Sequence, residues 1–255
     1  MNTNASTNAN TNAMNRKYYQ WHSPNLQRDM ELLVFGHAGA KVLVFPTRDG
    51  HFYEYEDLGL VSVLQTRLDA GQLQLFCVDS VDHESLYCFW RHPADRIQRH
   101  IQFEEYLLNE VMPLMNSLNT DPCTIAHGCS LGAFHATNIA FRHPHLFKKL
   151  VAFSGRYDLT FAIEAFNDLF DGYYDENIYF NSPSHFIDGL TCEKKLQALR
   201  EMDIVMTVGR EDPFLDNNLS FSHQLIEKDI SHEMHLWDGR AHRAQYWRKM
   251  TTLYI

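Results

Sequence analysis

Short, uninterrupted runs of apolar residues recur along this chain, separated by longer segments in which apolar residues have helical spacing. A strand that is buried on both faces carries apolar residues at consecutive positions, so such runs are typical of a parallel sheet covered by helices. Their alternation with helical segments predicts an α/β fold with a mostly parallel central sheet and helices on both faces. The expected strands are residues 28–35, 41–45, 72–79, 123–127, 149–153, 203–208 and 232–237. Residues 17–25, which are aromatic and polar, are expected to form an edge element that leads into the domain.

The remaining segments predict the helices and the domain organisation. Pro113 lies inside one expected helix and should kink or end it, because proline has no N–H to donate. No internal repeat or interdomain linker is found, so residues 16–255 are expected to form one domain, with residues 156–202 as a short cap-like insertion over one end of the sheet. Residues 1–15 are mainly Asn, Thr, Ala and Ser, and are expected to form a disordered tail. Helical spacing is found over residues 53–70, 97–118, 133–141, 217–228 and 241–254.

Charge and cysteine content exclude several classes of function. The chain has 22 basic and 32 acidic residues, a net charge of −10, which argues against attraction to nucleic acid or to an anionic membrane. Its five cysteines form no CxxC pair and are expected to be reduced thiols. No apolar run approaches the roughly 20 residues of a membrane span, and the N-terminus does not resemble a secretory signal. We therefore expect a cytoplasmic protein, and the sequence leaves homo-oligomerisation open.

The motif Gly128-Cys129-Ser130-Leu131-Gly132 matches G-x-S-x-G and lies between an expected strand and an expected helix. A sharp turn from strand to helix lifts the serine hydroxyl above the sheet, and glycine two positions away on either side leaves room for that turn. The start of the following helix directs free N–H groups and partial positive charge toward the reacting oxygen. The motif therefore predicts that Ser130 is a nucleophile, whereas Cys129 is expected to pack in the core.

A serine nucleophile needs a base and an acid, which in such a fold follow it in the order serine, Asp or Glu, histidine. His242 follows the last expected strand, and we predict that it is the base. Asp212 follows the strand 203–208 and is the preferred partner for orienting the histidine. Three further acidic residues stay alternatives to it: Glu211, Asp238 and Asp158.

Acyl transfer at a serine also needs N–H donors for the oxyanion that forms during the reaction. One donor is expected to be the backbone N–H of Leu131, which follows the nucleophile. The other is expected from the loop after the strand 41–45, hence from Thr47 or Arg48. The sequence does not choose between these two.

Other histidines and aromatic residues invite further hypotheses. His127, at the end of a strand, is expected to bind a backbone carbonyl rather than to act in catalysis. The pairs His143/His145 and His232/His235 are poor metal ligands, because the first lies at a helix end and the second would point to opposite faces of a strand. No metal and no cofactor is expected. The stretch FDGYYDENIYF (170–180) is expected either to line the pocket, where its acids would disfavour anionic substrates, or to pack the insertion onto the sheet.

Several stretches together resemble bacterial esterases of the esterase D-like family, within the α/β-hydrolase superfamily. They are FPTRDGHFYEYED, FCVDS, GCSLG, FDGYYDENIYFNSP, VGREDPFLDNN and DGRAHRAQYWR. The resemblance runs from about Tyr18 to the C-terminus. It implies an α/β-hydrolase fold, hydrolysis of a small-molecule carboxylic ester without a cofactor, and a catalytic triad of Ser130, Asp212 and His242.

The sequence departs from that family in two places. Ala133 follows the strand-to-helix turn Gly128–Gly132, called the elbow below, where the family commonly has a second glycine. Around the histidine, the family commonly has G-H-D-W-P, whereas this chain has Ala241-His242-Arg243-Ala244-Gln245. Neither change removes a catalytic group, although the second could reshape the mouth of the pocket. The leading hypothesis is a serine esterase that forms an acyl-enzyme. The alternatives are an acyltransferase with the same triad and a non-catalytic ligand-binding protein of this fold.

Overall fold

An eight-stranded sheet runs through the centre of the computed structural model, which describes residues 15–255. The strand order is β1-β2-β4-β3-β5-β6-β7-β8. The first two strands pair antiparallel at one edge, and from β4 to β8 all neighbours are parallel. The strands are β1 (Arg16–Ser23), β2 (Arg28–Phe35), β3 (Ala40–Phe45), β4 (Leu73–Val78), β5 (Thr124–Cys129), β6 (Lys149–Phe153), β7 (Asp203–Gly209) and β8 (Glu233–Trp237). The predicted α/β architecture is confirmed, and every expected strand is present.

The central strands carry apolar residues on both faces, which is why their sequences read as continuous apolar runs. Every residue of β4 and β5 is buried. In β3, Leu43 and Phe45 belong to one apolar cluster, whereas Val42 and Val44 belong to another. Because alternate residues of a strand point to opposite faces, these two clusters are the cores on the two sides of the sheet.

Eleven α-helices flank the strands of the described chain. They are α1 (Glu54–Asp57), α2 (Leu60–Val63), α3 (Gln65–Asp69), α4 (Pro93–Tyr106), α5 (Met112–Leu118), α6 (Leu131–Arg142), α7 (Glu176–Phe180), α8 (Pro183–Gly189), α9 (Glu193–Arg200), α10 (Leu215–Glu227) and α11 (Ala244–Tyr254). The helical spacing predicted over residues 53–70 corresponds to three short helices, α1 to α3, rather than to one continuous helix. The backbone turns left-handed at Gly59, with φ of 73°, and this interrupts the helical hydrogen bonding between α1 and α2.

Pro113 does not end the long helical segment in which it lies. A π-helical turn, Leu107–Val111, joins α4 to α5, and Pro113 is the second residue of α5. The wider π-turn leaves space for the proline ring, which would otherwise meet the carbonyl group one turn earlier. The helical path therefore continues to Leu118.

The segment 156–202 packs over the N-terminal end of α6. Leu159, Leu169 and Phe170 of this segment form a third apolar cluster with Leu131 and Phe134 of α6. The predicted tail, residues 1–15, lies outside the described residues except for Asn15, and the assignment of residues 16–255 to one domain stays a prediction. Across residues 15–255, none of the helices has the length and apolar character needed to cross a bilayer.

Candidate active site

Ser130 occupies the tight turn between β5 and α6. Its backbone has φ of 57° and ψ of −121°, a conformation that is strained for a residue with a side chain. Glycine is required on both sides of this turn. A Cβ atom at Gly132 would lie 2.5 Å from the carbonyl oxygen of Phe45, and one at Gly128 would overlap the backbone of Gly132. The turn therefore holds Ser130 at the carboxyl end of the parallel strands.

Two further residues that the sequence singled out lie beside this serine. His242 Nε2 is 2.9 Å from Ser130 Oγ, and His242 Nδ1 is 2.8 Å from Asp212 Oδ2. Asp212 follows β7 and His242 follows β8, so all three residues come from the carboxyl ends of parallel strands. The structure thus brings together groups that are 30 and 112 residues apart in the chain.

The surroundings of His242 decide which ring nitrogen carries the proton. The Asp212 carboxylate is buried, and its second oxygen, Oδ1, accepts the backbone N–H of Phe214 at 3.0 Å. An ionised carboxylate has only acceptors, so Nδ1 of His242 is the donor to Asp212. Nε2 then presents its lone pair to the Ser130 hydroxyl. The ring of Trp247, with its centroid 5.4 Å from that of His242, packs against the imidazole.

The three alternatives to Asp212 form no hydrogen bond and no ion pair with His242. Asp158 pairs with His185 at 3.0 Å. Burial alone would raise the pKa of Asp158, but hydrogen bonds from His185 and Thr160 outweigh it and lower that pKa to about 2. The other two, Glu211 and Asp238, are exposed, and the latter lies 3.6 Å from Arg210.

The two expected sources of the second N–H donor differ in what they already bind. The Thr47 N–H donates to Glu54 Oε2 at 2.7 Å, and the Thr47 hydroxyl donates to Glu54 Oε1 at 2.6 Å. By contrast, the backbone N–H groups of Arg48 and Leu131 have no hydrogen-bond acceptor within residues 15–255. Both therefore stay available to a ligand, whereas the Thr47 N–H does not. Glu54, which the sequence reasoning missed, lies in the stretch FPTRDGHFYEYED.

A cleft of about 300 Å³ opens beside Ser130. An outer cavity of about 420 Å³ adjoins it and shares four lining residues, namely Arg48, Tyr87, Arg156 and Phe166. Much of the wall of the inner cleft is formed by Phe214, His242 and Trp247. The sequence reasoning did not identify Arg156, although its place directly after β6, at the carboxyl end of a parallel strand, was an available signal.

The aromatic and acidic stretch 170–180 contributes little to this cleft. Only Asp171 lines the outer cavity, whereas Phe170 and Ile178 are buried in the third apolar cluster. Tyr174 and Phe180 are exposed. The packing interpretation of this stretch is therefore the better one.

Two residues next to the elbow have environments that disfavour chemistry. His127 is buried in β5, where its Nδ1 donates to the carbonyl of Val151 at 2.8 Å, and burial lowers its pKa to about 4. Cys129 is also buried, and burial raises the pKa of its thiol well above the usual value, so the reactive thiolate is disfavoured. Within residues 15–255, no three His, Cys, Asp or Glu side chains are grouped so that they could hold a metal ion.

Comparison with known proteins gives one family and many similar structures. The model of the family described as "Putative esterase" matches residues 23–250. A ferulic acid esterase has a TM-score of 0.72 at 15% identity, covering 94% of this chain and 96% of that one. An S-formylglutathione hydrolase from Agrobacterium tumefaciens has a TM-score of 0.66 at 14% identity over 95% of each chain. FphF, a fluorophosphonate-binding serine hydrolase of Staphylococcus aureus, has a TM-score of 0.67 at 14% identity over 95% and 97%.

No curated protein matches the sequence significantly. At these low identities the structural neighbours establish the α/β-hydrolase fold, whereas the family model covers most of the chain itself. The expected fold and family are both confirmed. The chain belongs to this esterase family and is a carboxylic ester hydrolase of the α/β-hydrolase fold.

Proposed function

We propose that the protein is a serine esterase in which Ser130 forms the acyl-enzyme, His242 acts as general base and acid, and Asp212 orients the histidine. One observation carries this proposal. An unbroken line of hydrogen bonds runs from Asp212 through the His242 ring to Ser130 Oγ, and ends in an open cleft. Such an arrangement allows the histidine to remove the proton from a hydroxyl that is barely nucleophilic on its own.

The proposed reaction has two halves. Ser130 Oγ bonds to the ester carbonyl carbon while its proton moves to His242 Nε2. The tetrahedral intermediate then collapses, the C–O bond to the alcohol breaks, and Nε2 returns the proton to the leaving alcohol. A water molecule, deprotonated by the same nitrogen, attacks the acyl-enzyme and releases the carboxylic acid and the free serine.

We assign the oxyanion site to the backbone N–H groups of Leu131 and Arg48. Both lack an acceptor among the described residues, and both residues line the cleft with Ser130. Leu131 begins α6, where the helix dipole adds partial positive charge. Donors of this kind contribute about 3 kcal/mol each to transition-state stabilisation. The N–H of Thr47 is excluded from this role because Glu54 already accepts it.

Turnover of short-chain 4-nitrophenyl esters, together with labelling by a fluorophosphonate, tests the proposal. Wild type should hydrolyse and label, and Ser130→Ala should lose at least about 1000-fold in kcat and all labelling. Ser62→Ala, which alters an exposed serine on α2, is the matched control and should behave as wild type.

Folded wild-type protein that neither hydrolyses these esters nor labels would contradict the proposal and favour a non-catalytic ligand-binding protein. Product analysis with and without an added alcohol separates hydrolysis from acyl transfer. Hydrolysis predicts that the free acid stays the main product when the alcohol is present.

A further inference from the structure

Arg156 is a buried cation without an anionic partner. It follows β6, and only 4% of its surface is exposed. No carboxylate oxygen among residues 15–255 lies within 4 Å of its guanidinium group. Burial lowers the pKa of Arg156, and the more distant carboxylates of Asp158 and Asp168 only partly oppose that effect. Its Nε donates to the carbonyl of Asp158, and its Nη2 lies within 2.6–3.1 Å of the carbonyls of Leu159, Phe161 and Asn167.

One part of this guanidinium remains for a ligand. Nε and Nη2 are occupied, whereas Nη1 makes no hydrogen bond of acceptable length and angle to any of residues 15–255, although the Tyr87 hydroxyl lies near the guanidinium group. Arg156 lines both the inner cleft beside Ser130 and the outer cavity. A charge taken out of water without a counterion is costly, and an anion placed in the cleft would reduce that cost.

Arg48 places a second guanidinium on the same wall. It lies over the Tyr87 ring, 5.2 Å from the centroid, and lines both cavities. Its nearest carboxylate, that of Asp49, is 3.8 Å away, which is too far for a hydrogen bond. The cleft therefore presents two cations in a chain whose net charge is −10.

The two acidic residues of the outer cavity form no hydrogen bond and no ion pair with these arginines. Asp168 accepts the backbone N–H groups of Phe170 and Gly172. Asp171 pairs with Arg96 at 2.8 Å. The positive charge of the wall is thus only partly compensated, because Asp49 and Asp168 lie near the two arginines without forming a hydrogen bond to them.

We propose that the ester hydrolysed at Ser130 carries a carboxylate group that pairs with Arg156 and Arg48. This inference rests on the proposed function and adds its substrate class. A carboxylate matches the single charge of Arg156, and its two oxygens can accept N–H groups from both guanidiniums. The Tyr87 and Phe166 rings provide apolar contact for the carbon chain between the carboxylate and the ester. An anionic substrate is the opposite of what the acids of the stretch 170–180 suggested.

Two matched pairs of substrates test which half of the ester carries the anion. For the acyl half, 4-nitrophenyl hydrogen glutarate is compared with 4-nitrophenyl valerate, which has the same number of acyl carbons and no charge. For the alcohol half, 4-acetoxybenzoate is compared with its methyl ester. In at least one pair, wild type should show a kcat/KM about tenfold or more higher for the anionic member, a preference that weakens in high salt.

Substitution of the arginines then tests the cause of this preference. Arg156→Gln should lower the anionic-to-neutral ratio of kcat/KM at least tenfold, mostly through KM. Arg48→Gln should lower the same ratio about threefold or more. Because this variant keeps the hydrogen bonds of Arg156, it still tests the inference if Arg156→Gln fails to fold. Arg67→Gln, on α3 and outside both cavities, removes the same charge and should keep the wild-type ratio. Equal rates within both pairs, or a preference that both arginine variants retain, would overturn the inference.

Calorimetry separates failure of this inference from failure of the proposed function. The affinity of Ser130→Ala is measured for all four compounds of the two matched pairs, and this measurement needs no turnover. The inference predicts that Ser130→Ala binds the anionic member of at least one pair more tightly than the neutral member. This difference should be lost in Ser130→Ala/Arg156→Gln or in Ser130→Ala/Arg48→Gln. Such a result supports the inference even if wild type proves inactive. Equal binding within both pairs by a protein that hydrolyses the neutral esters would sink the inference and leave the esterase proposal standing.

Discussion

The side chain of Asp212 illustrates how one buried acid can hold a neighbouring imidazole in place. Its two oxygens have different tasks, because Oδ1 accepts the Phe214 N–H and Oδ2 accepts His242 Nδ1–H. The backbone bond holds the carboxylate in place, and the other bond selects the imidazole tautomer. A change of one atom in this side chain should therefore alter the chemistry without altering the shape of the cleft.

Substitution of that residue gives a prediction at this scale. Asp212→Asn should lower kcat about 1000-fold or more with little change in KM, since an amide N–H facing Nδ1 favours the wrong tautomer of His242. Steady-state kinetics with a 4-nitrophenyl ester measures the effect. Asp238→Asn, which changes an exposed acid four residues before His242, is the control and should keep wild-type kinetics. A loss below about threefold in Asp212→Asn would assign the orienting role elsewhere.

At the scale of elements, the short helix α1 positions the loop that follows β3. Glu54, the first residue of α1, accepts both the backbone N–H and the hydroxyl of Thr47. Because those bonds hold Thr47, they also set where the next N–H, that of Arg48, can point. The same end of β3 packs on the elbow, since the carbonyls of Phe45 and Pro46 lie against Gly132. Glu54 is thus a positioning residue for the proposed oxyanion site.

Removal of this carboxylate should affect the transition state more than substrate binding. Glu54→Ala is expected to lower kcat about 10- to 100-fold with a small change in KM, as the Arg48 N–H loses its alignment. Glu54→Gln keeps one acceptor oxygen and should recover part of the loss. Steady-state kinetics, together with the melting temperature of each variant, provides the check, with Glu56→Gln on the same helix as control. A parallel fall of kcat and melting temperature, without rescue by glutamine, would indicate a structural role alone.

Across the whole molecule, the sheet gathers the site and also carries a sensitivity to acid. His127 lies in the middle of the sheet between the rings of Tyr55 and Phe153. Its Nδ1 donates to Val151, and its Nε2 is buried without a partner among the described residues. Protonation would place an unpaired N–H and a charge in the core, which is why burial lowers its pKa to about 4.

This histidine predicts how stability depends on pH. Its pKa in the fold lies below the ordinary value near 6.5, so the unfolded chain binds a proton first as the pH falls. The contribution of neutral His127 to the free energy of unfolding is complete above about pH 6.5 and is lost progressively toward pH 4. Between pH 7 and pH 5 the loss should be about 2 kcal/mol in the free energy of unfolding.

Urea unfolding at several pH values measures this dependence. His127→Gln can still donate to the Val151 carbonyl and does not titrate, so its free energy of unfolding should fall less over the same range. His223→Gln, at an exposed position on α10, is the control and should keep the wild-type slope. The assignment to His127 fails if wild type and His127→Gln lose equal stability between pH 7 and pH 5.

The sequence by itself determined the features that depend on local physics. Strands buried on both faces must carry consecutive apolar residues, so β3 to β7 could be recognised from their composition. The elbow around Ser130 could be recognised because a turn this tight excludes side chains at Gly128 and Gly132. Chain order and the ends of β7 and β8 then indicated Asp212 and His242 in advance.

Only the tertiary structure decided what depends on contacts between distant segments. The proposed choice of Arg48 over Thr47 rests on a side chain of α1, and the proposed choice of Asp212 over Asp158 rests on the pairing of Asp158 with His185. The unpaired charge of Arg156 can be seen only when every neighbouring segment is in place. Whether a polar group is paired or free depends on which segments the fold packs around it, and local sequence does not encode those neighbours.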